Sequence, residues 1–587
     1  MPQSCKMLAL LLVTVASVTG CGSVEKPAVT APAAPSLAVS VSLKTLQFSW
    51  SVVASADHFR LLEDPTGRGP FAAIEDNLAA TATSDTRDIG VHRIDWDHAQ
   101  YALEACNTAG CTRSASVGVR GQSAGAIGYL KASDTATRQS LGSATAVSGD
   151  GNTVAVGAVG TGAISGAVSV FVRKNGSWRF QARVQGDATE PGDGFGAALA
   201  LSSDGNTLVV GAPDENGGSS GINGNQHNNS LANAGAAYVF VRSGDAWTQQ
   251  AYLKASNADA GDEFGISVAA AADGNTVAVG APYEDGSARG INGNQESNSG
   301  TDSGAAYVFV RDGTAWSQQA YIKAANKDPY DWFGYCVALS GNGNALLVGA
   351  PGEDSGATGV DGDQADDGVR KAGAAYLFSR SGTSWSGQVY AKASTNGAGN
   401  WFGWRVAISG DGSTFAVAAP REDGTSGGIG GDQNTDGRPL SGAVYVFAQS
   451  GATWLQTTYI KASNPDSGDQ FGSALALNGA GDTLAVGAPG ESSNALAIGG
   501  NFLDNSAPQA GAAYVFARAT GTWNWTQQAY VKASNTDAGD RFGYAVALSA
   551  KGDTLAVGAP SEASAATAIG GNQADNSRAD AGAAYLY

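Results

Sequence analysis

The chain has 587 residues, 43% of them hydrophobic, so it is long enough for more than one domain and for a large buried core. Its 53 acidic and 34 basic residues give a net charge of −19, which argues against nucleic acid as a partner and favours cations or basic protein surfaces. The same charge also serves solubility. The 82 glycines are spread along the chain, which indicates many turns and short strands.

Residues 1–20 have the features of an export signal. Lys6 precedes an apolar run over residues 7–18, which is too short to span a bilayer and has the length of a signal-peptide core. The run leads to Val18-Thr19-Gly20-Cys21, which resembles the lipobox of bacterial lipoproteins. That resemblance implies acylation of Cys21, a tether over residues 21–35, and a location in the cell envelope, at the outer membrane or the cell surface. An ordinary secretory signal with a chance cysteine is the alternative.

Residues 36–122 predict a small β-sandwich. Apolar and polar residues alternate over residues 46–50, 58–62 and 101–105, and turn-forming residues separate these stretches. A tryptophan on an early strand and a tyrosine on a late strand resemble a fibronectin type III domain, which implies a spacer rather than a catalytic unit. Cys106 and Cys111 flank a predicted tight turn, and export makes a disulfide between them feasible. Cys336 lies in an apolar stretch and is interpreted as a small buried residue.

From residue 126 onward the chain repeats with a period close to 69 residues. Phe-Gly pairs begin at residues 195, 264, 333, 402, 471 and 542, and a weaker first copy begins at Leu141. Each copy predicts four strands, A to D, which in the second copy cover residues 195–202, 207–212, 236–242 and 247–255. Strands A and B are almost wholly apolar and strand D is partly polar, which is typical of a propeller blade with a dry inner end and a wet outer edge.

The strand count predicts how the repeats close. Seven A, B and C strands are present, but only six D strands follow a C strand. Residues 129–133 match residues 252–256 of a D strand, so the front of the array would supply the outer strand of the last sheet and remove exposed edges. The sequence therefore predicts an all-β protein with a seven-bladed β-propeller over residues 126–587. An open solenoid is the alternative.

These copies resemble FG-GAP repeats, as found in the N-terminal propeller of integrin α subunits and its bacterial relatives. Residues 333–339, followed by residues 347–351, carry the pattern most plainly. The resemblance covers about four-fifths of the chain and implies adhesion or protein recognition. The A–B turns, such as residues 203–206, are too short to cage Ca²⁺, so the calcium sites of that family are not carried over.

Acidic residues recur in the B–C and D–A loops, which share one face of an up-and-down array. We predict that they form a ligand face for a cation or a basic partner; capping of local turns is the alternative. The B–C acids are Glu215, Glu284, Asp285, Glu353, Asp354, Glu422, Asp423, Glu491 and Glu562, and the D–A acids are Asp193, Asp262, Asp331, Asp469 and Asp540. The candidate metal ligands are Asp361, Asp363, Asp366 and Asp367 of the fourth copy, with Ca²⁺ as the candidate cofactor.

The sequence offers little for catalysis. Histidine occurs only at positions 58, 92, 98 and 227, which leaves no zinc cluster and no Ser-His-Asp arrangement. We therefore predict a monomeric, non-enzymatic module that binds a protein or a glycan at the cell surface and meets the membrane only through its lipid anchor. A passive envelope scaffold is the second hypothesis. A polysaccharide-active enzyme is the third, and Trp401 and Trp404 beside Arg421 are its nearest candidate site.

Overall fold

A computed structural model describes residues 28–587 apart from residues 94 and 520 and the side chain of residue 95. The predicted signal peptide and Cys21 lie outside the described residues. Among the described residues, the helices are too short or too polar to cross a membrane.

Residues 37–118 form two antiparallel sheets, in agreement with the predicted β-sandwich. One sheet has the strand order β1-β2-β5, and the other has the order β4-β3-β6-β7 with β8 beside β6. The strands are β1 Leu37–Ser42, β2 Thr45–Trp50, β3 His58–Asp64, β4 Ala72–Ala79, β5 Ser84–Asp88, β6 Gln100–Asn107, β7 Gly110–Arg113 and β8 Val117–Gly118. Short 3-10 helices cover Val91–Arg93 and Asp95–Asp97, and a single-turn helix α1 covers Ser123–Ala126. Cys106 and Cys111 lie opposite each other on β6 and β7 and are joined by a disulfide.

Residues 128–586, apart from residue 520, form seven four-stranded antiparallel sheets. Strands β10 to β33 make sheets 1 to 6 in consecutive groups of four, and sheet 7 has the order β34-β35-β36-β9. The first half of these strands is β9 Gly128–Leu130, β10 Leu141–Val147, β11 Thr153–Ala158, β12 Ala167–Lys174, β13 Ser177–Val184, β14 Ala198–Leu201, β15 Thr207–Ala212, β16 Ala236–Ser243, β17 Ala246–Leu253, β18 Ser267–Ala270, β19 Thr276–Ala281, β20 Ala305–Asp312, β21 Ala315–Ile322 and β22 Cys336–Leu339. The second half is β23 Ala345–Ala350, β24 Ala374–Ser381, β25 Ser384–Ala391, β26 Arg405–Ile408, β27 Thr414–Ala419, β28 Ala443–Ser450, β29 Thr453–Ile460, β30 Ala474–Leu477, β31 Thr483–Ala488, β32 Ala512–Arg518, β33 Trp525–Val531, β34 Ala545–Leu548, β35 Leu555–Ala559 and β36 Ala583–Leu586.

The A strands begin later than the sequence predicts. In sheet 2 the strand starts at Ala198 instead of residue 195, because the Phe-Gly pair forms a turn in which Gly196 has φ of 95°. A Cβ on Gly196 would approach the carbonyl of Ala167 in sheet 1 to 3.1 Å, and this position therefore requires glycine. The phenylalanine side chain is fully buried between neighbouring sheets, as Phe195 illustrates.

The pairing predicted for the front of the array is confirmed. Tyr129 on β9 lies opposite Tyr585 on β36, and the two rings pack with centroids 5.5 Å apart. The innermost strand of sheet 1 contacts both sheet 2 and sheet 7. Residues at the innermost strands of the seven sheets line one cavity of about 210 Å³. Apolar clusters between neighbouring sheets form the core, because both faces of strands such as β15 and β19 are covered.

The sandwich packs against the seventh sheet. The buried Lys44 Nζ donates hydrogen bonds to the main-chain oxygens of Asp553, at 2.8 Å, and of Tyr587, at 2.7 Å. His92 Nε2 donates to the carbonyl of Gly552 at 2.9 Å, and burial lowers the pKa of His92 to about 3. These contacts lie at the A–B turn of sheet 7, so the sandwich is docked against the array rather than hanging from it as a free spacer.

Candidate functional site

The six glutamates predicted to face a ligand are buried instead. Each is at most 3% exposed and accepts a hydrogen bond from a tyrosine hydroxyl and a lysine ammonium of its own sheet. The ion pairs are Glu215–Lys254, Glu284–Lys323, Glu353–Lys392, Glu422–Lys461, Glu491–Lys532 and Glu562–Lys131. The prediction that these six acids bind a ligand is therefore wrong, because their oxygens are already satisfied inside the protein.

The set formed in sheet 4 shows the geometry. Glu353 Oε2 lies 2.6 Å from Lys392 Nζ, and the Tyr390 hydroxyl donates to Glu353 Oε1 at 2.7 Å. Asn326, from the loop that enters the sheet, donates to the same Oε1 at 3.2 Å and accepts from the Tyr376 hydroxyl at 2.9 Å. This network ties the B–C loop to strands C and D and to the preceding loop.

The first sheet lacks the whole set. Thr161 occupies the position of the glutamate, Arg183 that of the tyrosine and Gln185 that of the lysine. Gln185 Nε2 donates to the carbonyl of Gly166 at 2.8 Å, whereas Lys131 of sheet 7 donates to the matching carbonyl of Gly582 at 2.7 Å. Both charges are absent together, which is expected because a buried charge without its partner is strongly destabilising.

Burial also governs the titration of these groups. It lowers the pKa of Lys392, while the nearby Glu353 opposes that change. The same causes lower the pKa of Lys323 and Lys532. Six repeated, enclosed pairs of this kind hold the loops in place and occupy the carboxylates of these six glutamates.

The aspartates of the D–A loops are also buried. Asp262 Oδ2 accepts the main-chain N–H of Asp259 at 2.9 Å, and Asp331 Oδ2 accepts that of Asp328 at 2.7 Å. Burial raises the pKa of both carboxyls to about 8, and the charge of the neighbouring glutamate adds to the rise although the hydrogen bond opposes it. Asp193, Asp469 and Asp540 occupy the same position. These five aspartates of the predicted ligand face thus cap turns inside the protein.

The remaining predicted acids of the B–C loops are half-buried. Asp285 accepts the main-chain N–H of Asp302 at 2.8 Å, and Asp354 accepts that of Lys371 at 2.6 Å. Both shape their own loop. Asp423 lines a polar cavity of about 330 Å³ in sheet 5 together with Asp436. Burial, followed by the Asp436 charge, raises the pKa of Asp423.

The four candidate metal ligands of sheet 4 do not converge. Asp361 accepts the main-chain N–H of Tyr390 at 2.9 Å, as Asn223 and Asn292 do for the tyrosines of their sheets. Asp363 and Asp366 each accept an N–H two residues further on. Over the described part of the chain, the one group of three potential metal ligands is Glu104 with Cys106 and Cys111, and those cysteines are disulfide-bonded. The structure therefore does not bring the predicted metal ligands Asp361, Asp363, Asp366 and Asp367 together, and the first three accept main-chain N–H groups instead.

A different set of residues lies on the loop face, and Ala197, Ile266 and Tyr544 of this set also line the cavity that the seven sheets share. We define the rim as three positions of each sheet: the residue before the Phe-Gly pair, the residue after it, and the residue after the proline that ends strand B. In sheets 2 to 7 the first position holds Gly194, Glu263, Trp332, Trp401, Gln470 and Arg541; the second holds Ala197, Ile266, Tyr335, Trp404, Ser473 and Tyr544; the third holds Asp214, Tyr283, Gly352, Arg421, Gly490 and Ser561. These positions differ from sheet to sheet while their neighbours repeat.

Aromatic rings collect on one side of the rim. Trp401 stacks on Trp404 with centroids 5.1 Å apart, and Trp404 packs on Tyr335 at 4.5 Å. Trp332 contacts Trp401 edge-on at 6.3 Å. The Trp401 backbone has φ of 60°, a conformation that bulky residues rarely adopt.

Cations lie on these rings. The guanidinium of Arg421 is 4.2 Å from the Trp401 centroid, that of Arg405 is 5.4 Å from the Trp404 centroid, and Lys371 Nζ is 4.2 Å from the Trp332 centroid. Between sheets 5 and 6 the rim opens into a mainly apolar pocket of about 340 Å³. Its lining residues are Trp401, Trp404, Pro420, Arg421, Leu440, Gln470 and Ser473.

The sequence predicts Trp401, Trp404 and Arg421 as one candidate site, and the structure brings these three residues together. Tyr335, Leu440 and Lys371 are not among the residues predicted from the sequence. An alignment of the seven copies would identify these three positions, because the residue there changes from copy to copy while most neighbouring positions stay constant. Spacing alone did not show that these positions meet at one rim.

The fold and the site define an all-β repeat protein whose four-stranded antiparallel sheets are of the β-propeller kind. The chain belongs to the FG-GAP repeat family, whose model matches residues 178–240, 247–309, 316–378, 454–516 and 525–587. Residues 385–447, which contain Trp401, Trp404, Arg421 and Leu440, lie between matched segments and are not among them. No curated protein matches the chain.

Several solved structures are similar at low identity. They include a putative 6-phosphogluconolactonase from Bacteroides uniformis, at 11% identity and a TM-score of 0.37 over 81% of this chain and 98% of that one. The WD40 repeats of RRP9 give 8% and 0.39 over 78% and 96%, and an oligogalacturonate lyase from Vibrio parahaemolyticus gives 9% and 0.38 over 78% and 92%. These similarities are too low to carry an argument about function.

Proposed function

We propose that this protein is a non-enzymatic recognition module of the bacterial cell surface, and that its rim binds a protein partner. The seven sheets are then the blades of one closed propeller, sealed by β9. The observation that carries the proposal is the rim itself, since tryptophan, tyrosine and arginine are the residues most enriched at the energetic centres of protein interfaces. A surface that varies within an otherwise repeated structure serves recognition rather than folding.

The docking of the sandwich supports an orientation for the module. The sandwich contacts the A–B turn of sheet 7, whereas the rim lies among the B–C and D–A loops. A fibronectin type III-like sandwich tethered through an acylated Cys21 would therefore leave the rim facing away from the membrane. The lipid anchor can be tested by metabolic labelling with an alkyne fatty acid, which the wild type should incorporate and a Cys21→Ser variant should not.

Site-directed photo-crosslinking in living cells tests the recognition role. We would place p-benzoylphenylalanine at Ser473, on the rim, or at Asp273, in an A–B turn on the opposite face. We expect one discrete cross-linked protein, identified by mass spectrometry, from position 473 and not from position 273. A passive scaffold would give no discrete product at either position, and this result would overturn the proposal.

A further inference from the structure

The pocket between sheets 5 and 6 has the size and the apolar lining of a pocket that binds one side chain. Its volume of about 340 Å³ is at the small end of the range for ligand pockets, and Pro420, Leu440 and the two tryptophans dominate its lining. It lies at the edge of the aromatic side of the rim, where Trp401 and Trp404 of sheet 5 face Gln470 and Ser473 of sheet 6. In protein interfaces such pockets receive an apolar anchor residue, surrounded by contacts that exclude water.

The charge around this pocket is opposite to that of the whole protein. Arg421, Arg405 and Lys371 lie over the aromatic rings, and none of the three forms an ion pair with another described residue. The chain as a whole carries 53 acidic and 34 basic residues. Three unneutralised cations at one place in an acidic protein therefore form a local positive surface that attracts an anionic partner.

The other side of the rim carries the opposite sign. Asp214 and Glu263 hold rim positions in sheets 2 and 3, and Asp302 lies near the end of the neighbouring B–C loop. Burial, followed by the charges of Asp214 and Asp302, raises the pKa of Glu263 to about 7, so the full negative charge of this side is present only above that pH. A partner with an acidic segment is accepted on the side of sheets 4 and 5 and rejected on the side of sheets 2 and 3. This asymmetry fixes one orientation of the partner across the rim.

We propose that the pocket between sheets 5 and 6 binds an acidic peptide segment of the partner, whose carboxylates meet Arg421 and Arg405 and whose single large apolar side chain enters between Trp404 and Leu440. This inference rests on the proposed function and names the chemistry of its partner. The arginine geometry suits carboxylates, which the guanidinium group binds through paired hydrogen bonds. A glycan fits less well, since the pocket offers only Arg421, Gln470 and Ser473 to pair with sugar hydroxyls, and unpaired buried hydroxyls are costly.

The test uses the purified chain and a fluorescein-labelled peptide in which three aspartates stand on each side of one phenylalanine. Fluorescence anisotropy should show saturable binding that weakens with added salt. Two control peptides, one with serine for phenylalanine and one with asparagine for every aspartate, should bind about tenfold more weakly or worse. Equal binding of all three peptides would overturn the proposal.

Variants taken from other sheets locate the binding without endangering the fold. Arg421→Ser introduces the residue found at Ser561, and Leu440→Asn introduces the residue found at Asn233, where the backbone has the same positive φ. Each should weaken peptide binding about tenfold. The matched control Arg289→Ser removes one exposed positive charge from the B–C loop of sheet 3, outside the rim, and should change binding less than about twofold.

The outcomes separate this inference from the proposed function. If an oligomer of hexuronic acid binds with the same dependence on Arg421 and the peptide does not, the ligand is a glycan and the inference is wrong. If the peptide does not bind while position 473 still cross-links a discrete protein, recognition by the rim is supported and the proposal of an acidic peptide segment is wrong. Unchanged binding in both Arg421→Ser and Leu440→Asn would place the peptide elsewhere and overturn the assignment.

Discussion

Two sets of side chains lie on the same loop face and follow opposite rules. The Tyr–Glu–Lys sets recur in six sheets, are buried, and disappear as a unit from the first sheet. The largest side chains of the rim are at least partly exposed, and the rim residues differ from one sheet to the next. In a repeat protein, constancy at a position marks a requirement of folding, and change at a position on a constant frame marks a surface free to specialise. The following substitutions test that contrast.

The largest effect should come from breaking one buried pair. Glu353→Ala leaves the Lys392 ammonium buried without a carboxylate, and we expect the free energy of unfolding to fall by about 3–5 kcal/mol in urea titrations. The double variant Glu353→Thr with Lys392→Gln introduces two of the three replacements found in the first sheet and removes both charges, so it should lose less than half as much. Equal losses in the single and double variants would show that the pair has no special role in stability.

A smaller effect should come from the buried aspartates. Asp262 and Asp331 have pKa values of about 8 in the folded protein and ordinary values near 4 in the unfolded chain. The folded state therefore binds more protons between pH 4 and 8, and stability falls as pH rises through that window.

The double variant Asp262→Asn with Asp331→Asn keeps two carbonyl acceptors and removes the titration. We expect its stability to fall less than that of the wild type as the pH rises from 5 to 8, because the two titrating carboxyls are gone. Asp273→Asn, in an A–B turn, is the control. Parallel pH profiles for the wild type and the double variant would contradict the prediction.

A rim substitution should separate binding from folding. Trp404→Ser introduces the residue that sheet 6 carries at Ser473, and it removes the ring stacked on Trp401 and Tyr335. We expect a loss of about 1 kcal/mol in unfolding free energy and at least a tenfold loss in peptide binding. A loss of stability as large as that of Glu353→Ala would mean that the aromatic side of the rim is part of the folding core.

The smallest effect on stability should come from a substitution at Asp361, one of the predicted metal ligands. Asp361→Asn restores the residue that sheets 2 and 3 use at Asn223 and Asn292, with the same acceptor for a tyrosine N–H. We expect the melting temperature to stay within about 1 °C of the wild type, with or without calcium or a chelator, since the change in stability should be under about 0.5 kcal/mol. Stabilisation of the wild type by calcium, lost in this variant, would restore the metal hypothesis.

The period of 69 residues and the alternation of apolar and polar stretches were sufficient to predict the sheets, their strand order and the pairing of Tyr129 with Tyr585. These features follow from local rules: apolar residues with small side chains form strands covered on both faces, and glycine marks the turns between them. The match between residues 129–133 and residues 252–256 can be recognised in the sequence because both segments are copies of the repeated D strand.

The role of the acids was decided only by the tertiary structure. Glu353 and Lys392 are 39 residues apart, and nothing in their spacing shows that the B–C loop folds back until the carboxylate meets the ammonium group out of contact with water. The pocket was also decided only by the tertiary structure, because its lining residues Trp401, Leu440 and Gln470 come from three loops of two sheets. Sequence determines which residues repeat; only packing determines whether a charged side chain faces the solvent or a partner inside the protein.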